Sequence, residues 1–191
     1  MKITPTDLEG VILIEPDVFG DHRGYFTETY NKARLAEAGI ELDFVQDNQS
    51  LSAQPGTLRG LHYQLTPKAQ TKLVRVIQGA VYDIAVDIRK GSPTFGKWVA
   101  VILTADNHRQ LLIPKGFAHG FCTLVPNTIV AYKVDEYYSP EHDRGILWND
   151  PTLSIPWPTS NPVLSAKDER HPGLEEAEVF EIENWKCLQD A

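Results

Sequence analysis

Between residues 73 and 134 the chain is cut into short runs rich in Val, Ile and aromatic side chains, each closed by Gly, Pro or Asn-Asp punctuation. A chain interrupted at that interval has no room for long helices, and the spacing predicts an antiparallel β-sandwich or barrel. Strands are expected over 73–78, 81–88, 98–103, 109–113, 120–124 and 128–134. The first two read as a hairpin turning at Gly79-Ala80. Helix is left to the edges: 31–38, stopped by Gly39, and 174–180, just after Pro172-Gly173. The Pro-rich piece 151–162 reads as an ordered loop, because Trp148 and Trp157 in or beside it must bury their rings.

With 191 residues, 42% of them hydrophobic, the chain is long enough for one domain with a substantial core, followed from about residue 160 by a helical or loop extension. A net charge of -8 disfavours nucleic acid and anionic lipid as partners, so any anionic ligand needs a local basic cluster. No apolar run approaches the roughly 20 residues that span a bilayer, and Met1-Lys2-Ile3-Thr4-Pro5 is not the start of a signal peptide. A cytoplasmic protein is expected. Cys122 and Cys187 fit neither a disulfide framework nor a CxxC site and are expected to be packing thiols.

Three runs carry the candidate chemistry. The run 56–64, GTLRGLHYQ, sets a cation (Arg59), an imidazole (His62) and a phenol (Tyr63) among small and apolar residues, which suits proton chemistry on an anionic ligand. Alternate strand residues share a face, so a metal site of the cupin type would want a second His at position 64, where Gln64 stands. The run 114–121, PKGFAHGF, has a tight turn presenting His119, as in the second metal-binding box of cupins. Lys72 nearby argues against a divalent ion there. In 21–28, DHRGYFTE, Arg23 can grip a phosphate, Phe26 can face a ring and Glu28 can accept hydrogen bonds, although a solvated charged turn has the same look.

Parity adds further candidates. Tyr132 shares a face with Val130 and Val134, either as a core tyrosine or as a phenol aimed into an interior site. Lys72 shares parity with Val74 and Val76, either snorkelling to water or standing at the mouth of that interior. Ser165 and Asp168 have helix-capping spacing, and a cap is the reading their spacing favours.

Taken together, the runs at 21–28 and 46–50, GTLRGLHYQ, Lys72-Leu73-Val74-Arg75-Val76, 81–89 with Ser92-Pro93-Thr94, IPKGFAHGF and Ile146-Leu147-Trp148-Asn149-Asp150-Pro151 resemble the dTDP-4-dehydrorhamnose 3,5-epimerase family. The resemblance runs from about residue 10 to Asp168. It implies an all-β, cupin-like antiparallel β-barrel (jelly roll) with short peripheral helices and neither metal nor cofactor. It also implies a homodimer in which an N-terminal strand pairs with the partner's sheet. The substrate it implies is a 4-keto-6-deoxyhexose linked to dTDP, inverted at C3 and C5 in the cytoplasmic route to dTDP-L-rhamnose. In that pattern His62 is the base, Tyr132 the acid on the opposite face, Asp168 the carboxylate paired with His62, and Lys72 the cation beside the enolate oxygen. Arg23, Glu28, Gln46, Asn48, Arg59, Lys72, His119 and Lys167 match positions that contact the nucleotide sugar, and Tyr138 matches the ring that stacks on thymine. Asp143 stands where the family commonly has Glu, which shortens its contact.

Overall fold

Stiff β-branched and aromatic side chains fit a pleated surface better than a helical turn, so runs of them settle into extended backbone. In the computed structural model, which describes residues 1–182, they form β1 (Lys2–Pro5), β2 (Ile12–Glu15), β3 (Val18–Asp21), β4 (Gly24–Thr27), α1 (Lys32–Glu37), β5 (Gln46–Ser52), β6 (Leu58–Gln64), β7 (Lys72–Gln78), β8 (Ala80–Asp87), β9 (Arg89–Lys90), β10 (Trp98–Thr104), β11 (Gln110–Ile113), β12 (Phe117–Thr123), β13 (Thr128–Val134), β14 (Asp143–Gly145) and β15 (Phe180–Glu181). One sheet runs β1-β2-β11-β7-β13-β5 and a second runs β10-β8-β12-β6-β14. Pairing within both is antiparallel. The expected all-β, cupin-like barrel is therefore present.

Apolar side chains sort into three layers. Between the sheets lie Val74, Val81, Ala85 and Leu111, all fully buried, with Val130 and Phe121. Removing each large one of these from water stabilises the fold by about 1.5–3 kcal/mol. Behind the five-stranded sheet, Leu61, Ile84, Val86, Ile146, Leu174 and Phe180 form a second cluster beneath the C-terminal segment. Strand β8 is thus buried on both faces. Behind the six-stranded sheet, α1 lays Leu35 against Ile14, Leu73 and Leu112. The helix begins at Asn31, whose side chain accepts from the Arg34 amide, a typical N-cap.

Two expectations fail. Segments 73–78 and 81–88 are not a hairpin, because β7 pairs with β11 and β13 while β8 pairs with β10 and β12. The chain crosses between sheets at Gly79, since each strand gains two flanking partners that way instead of one shared edge. Segment 174–180 is not a helix either. It is a turn followed by β15, which pairs in parallel with β9. Leu174 and Phe180 are both buried in the outer cluster, and the Leu174 amide donates to Asp150 Oδ2 at 2.8 Å. That docking outweighs a helical preference weakened by Glu175, Glu176 and Glu178 crowding like charge.

The loop after β14 is ordered as expected. Trp157 Nε1 donates to the Trp148 carbonyl at 2.7 Å and packs edge-on against Tyr82. Cys122 is fully buried, which pushes its thiol up to about 11. Cys187 lies outside the described residues. Among the described residues no helix is long and apolar enough to cross a membrane.

Candidate active site

Strand β6 delivers His62 to the barrel interior through an unusually close strand contact. Gly60 has φ +126°, and a Cβ there would stand 2.5 Å from Gly120 Cα and 2.7 Å from the His119 carbonyl oxygen. Only glycine permits that conformation and that approach. The β6–β12 register pairs His62 with His119 and shifts just beyond, between His119 and Phe121.

His62 Nε2 lies 2.5 Å from Asp168 Oδ1. The other carboxylate oxygen, Oδ2, accepts from Ser165 Oγ at 2.7 Å, while Ser165 Oγ accepts from the Asp168 amide at 3.1 Å. The capping arrangement and the histidine partner therefore coexist on one carboxylate, one oxygen for each. Burial alone would raise the Asp168 pKa, yet the nearby imidazoles of His171 and His62 and the Ser165 hydroxyl hold it well below the carboxylate range. An anionic Asp168 accepts a proton bond from Nε2–H, which leaves His62 Nδ1 as the free basic nitrogen. Burial pushes His62 below the usual imidazole value, with Asp168 opposing and the cations Lys72 and Lys167 reinforcing.

The opposite sheet supplies the facing groups. Lys72 at the start of β7 is 8% exposed, so the interior reading of this lysine holds, and its Nζ donates to the His62 carbonyl at 3.2 Å. Burial lowers its pKa to about 8, offset in part by Asp143 and Asp83. Tyr132 on β13 packs against the inner core, and burial, with help from Asp143, raises its phenol. One cavity of about 270 Å³ is lined by His62, Lys72, Tyr132 and Asp168, together with Arg59, His119 and Lys167. The imidazole and the phenol thus reach a single chamber from different sheets.

A polar ledge leads out of this chamber. Lys167 is ion-paired with Asp143. Tyr138 Oη donates to Asp143 Oδ2 at 3.2 Å, the Tyr138 amide donates to Gln46 Oε1 at 3.1 Å, and Gln46 Nε2 donates to Asn48 Oδ1 at 2.8 Å. The Tyr138 ring is exposed, and that leaves it available for stacking. Gln64, where a metal-binding cupin would have histidine, instead donates to the Lys68 and Tyr137 carbonyls and accepts from the Ser139 amide, holding the segment that presents Tyr138. Arg59 donates to Ser52 Oγ at 3.3 Å and to the Leu51 carbonyl at 3.2 Å, and its charge remains open to the chamber.

Three expected site residues are not brought here within the chain. Arg23 pairs with Asp21 in the β3–β4 hairpin, Glu28 reaches Arg34 at 3.4 Å, and Phe26 is 69% exposed. None lines the chamber. Conversely, two residues escaped the reading of the sequence. Asp83 is fully buried and both its oxygens lie 3.1 Å from His119 Nε2. Its signal was available, since an acid between Val81 and Ala85 occupies an inward position of an apolar strand. His171, beside Asp168, carried no such signal. The ligand atoms of His62, Asp168 and His171 lie within 4.8 Å of one another, a spacing a metal can use. An ion would there displace the 2.5 Å His62–Asp168 bond and face the ammonium of Lys72, so the donor set fits a cation poorly.

The model of one protein family, dTDP-4-dehydrorhamnose 3,5-epimerase, matches residues 5–176. The dTDP-4-dehydrorhamnose 3,5-epimerase of Shigella flexneri is 52% identical over 181 residues, covering 94% of this chain and 99% of its own. A crystal structure of the Bacillus anthracis enzyme of that name, with TDP and PPi bound, is 62% identical with a TM-score of 0.89, over 90% of this chain and 98% of its own. The dTDP-6-deoxy-D-glucose-3,5-epimerase of Legionella pneumophila, in complex with dTDP-4-keto-L-rhamnose, is 47% identical with a TM-score of 0.90, over 94% and 97%. With a family model matching residues 5–176 and 52% identity to a relative covered over 99% of its length, the chain belongs to the dTDP-4-dehydrorhamnose 3,5-epimerase family.

Proposed function

We propose that this protein epimerises dTDP-4-dehydro-6-deoxy-D-glucose at C3 and C5, giving dTDP-4-dehydro-L-rhamnose in dTDP-L-rhamnose biosynthesis. The observation that carries the proposal is one chamber that takes an Asp168-paired imidazole from one sheet and a buried phenol and ammonium from the other. Hydrogens at C3 and C5 flank the C4 ketone and become acidic when the developing enolate oxygen is stabilised; Lys72 is the cation for that oxygen. His62 Nδ1 takes the proton, and Asp168 stabilises the imidazolium. Tyr132 returns a proton to the opposite face of the same carbon. That protonation completes the inversion, and the site resets when His62 gives its proton to solvent and the Tyr132 phenolate takes one back.

Binding roles follow the ledge. Tyr138 stacks on thymine, Arg59 answers the diphosphate, and His119, held by Asp83, meets the sugar with Lys167. Gln46, Asn48 and Asp143 complete the nucleotide-sugar contacts. Arg23, Phe26 and Glu28 belong in this reading to the neighbouring subunit's site. The β3–β4 hairpin exposes Phe19, Tyr25 and Phe26 at 62–69%, more apolar surface than a free hairpin tip favours. Among the described residues strand β5 is one of the two edges of the six-stranded sheet, the other being β1, and an edge can accept an added strand. A cytoplasmic homodimer exchanging these hairpins accounts for both features.

The test is incubation with dTDP-4-keto-6-deoxyglucose in deuterated water. Label at both C3 and C5 with inversion at both is expected, and His62→Ala abolishes the exchange. Label at one carbon alone identifies a single-site epimerase. No label at all identifies a binding protein.

A further inference from the structure

His171 sits behind the His62–Asp168 pair, outside the substrate chamber, on the wall of a second cavity of about 530 Å³. Its ring lies 5.6 Å from that of His62 at 73°. Nε2 is buried, makes no hydrogen bond, and lies 3.5 Å from Asp168 Oδ1, the same oxygen that holds His62. A buried ring nitrogen without a partner is costly, and such groups in native folds need a reason. The fold makes room for this one. A Cβ on Gly145 would stand 2.3 Å from His171 Nε2 and 2.4 Å from Cε1, so the ring occupies a seat that only glycine leaves open.

We propose that His171 is a positioning residue for the epimerisation, a second imidazole donor that closes on Asp168 Oδ1 and restrains the carboxylate that orients His62. The inference rests on His62 being the base. Its consequence follows from sharing one oxygen. A carboxylate that also serves His171 attracts a proton on His62 less strongly, whether His171 is neutral and donating or itself charged. His62 then stays unprotonated, and able to accept a proton, to lower pH.

Among the described residues, several other titratable groups surround the pair. His62 faces Lys72 from β7, Tyr132 from β13, His119 from β12, Arg59 from its own strand and Lys167 from the C-terminal segment. His171 shares its cavity with Tyr63 from β6, Asp143 and Arg144 from β14, and Arg170 and Glu178 from the C-terminal segment. Arg144 is engaged with Glu178, and Asp143 with Lys167. Within this set, His171 is the group facing Asp168 Oδ1 from behind.

The experiment compares His171→Leu and His171→Gln with the unaltered protein. It uses nitrogen-labelled histidine NMR to titrate His62, the pH profile of kcat/KM, and TDP affinity as the check on folding. In His171→Leu the His62 titration and the acid limb of the profile are expected to move up by about 0.5 pH unit, with TDP affinity unchanged. The amide donor of His171→Gln restores most of the shift. A His62 titration that does not move in His171→Leu, or that moves equally in both variants, overturns the proposal. A moved titration with an unmoved rate profile leaves His171 its role and strikes instead at His62 as the base.

Discussion

Asp168→Asn removes the charge behind His62 while keeping the side chain's size and its bond from Ser165. Asp168 is 3% exposed and bonds His62 at 2.5 Å, so little water screens it on its own side. Taking the charge centres about 4 Å apart at an effective dielectric of about 20, the imidazolium loses roughly 4 kcal/mol of attraction. The His62 side chain is 33% exposed, and halving the figure for that gives a range of about 2–4 kcal/mol. The imidazolium forms during proton abstraction, so the exchange rate should fall by about 30- to 1000-fold. The His62 pKa should drop as well. The base works above its pKa, so the acid limb of kcat/KM moves to lower pH even as the plateau falls. The assay is deuterium wash-in at C3 and C5 across pH 5–9, with TDP affinity confirming an intact ledge. An exchange rate within fivefold of the unaltered protein, in a variant that still binds TDP, would refute the reasoning.

Tyr132→Phe should keep substantial exchange but yield little inverted product, because proton removal survives and opposite-face return does not; inverted sugar at the normal rate by NMR would remove Tyr132 from the mechanism. Lys72 is cationic below its pKa of about 8, so the rate should decline as pH rises through that value. In Lys72→Met the decline should vanish along with about 100- to 1000-fold of the rate, and an unchanged limb would assign it to another group. Gly60→Ala would drive a Cβ into backbone atoms at 2.5 and 2.7 Å, and an expected loss of about 2–4 kcal/mol in urea unfolding would be contradicted by a midpoint matching the unaltered protein.

Parity carried much of the site. Alternation alone places Tyr132 with Val130 and Val134, and Lys72 with Val74 and Val76, because strand geometry leaves a side chain only two directions. The strands themselves were read to within a few residues over 73–134. The Ser165–Asp168 spacing was legible as a cap, and the second use of the carboxylate was not, since His62 is 106 positions away. Asp83 is legible by the same parity, since it shares a face of β8 with Val81 and Ala85.

What the sequence determined alone was local: extended backbone in β-branched runs, a short helix within 31–38 stopped by Gly39, and which face of each strand is apolar. Tertiary structure decided what depends on partners distant along the chain. Gly79 serves equally as a hairpin turn or a corner between sheets, and only competition for strand neighbours selected the corner. Residues 174–180 have a helical pattern in sequence, and burial of Leu174 and Phe180 in the outer cluster makes them a turn leading into β15 instead. His171 comes to face Asp168 because Gly145 on β14 leaves its ring a place to lie, and no pattern of nearby residues encodes that contact.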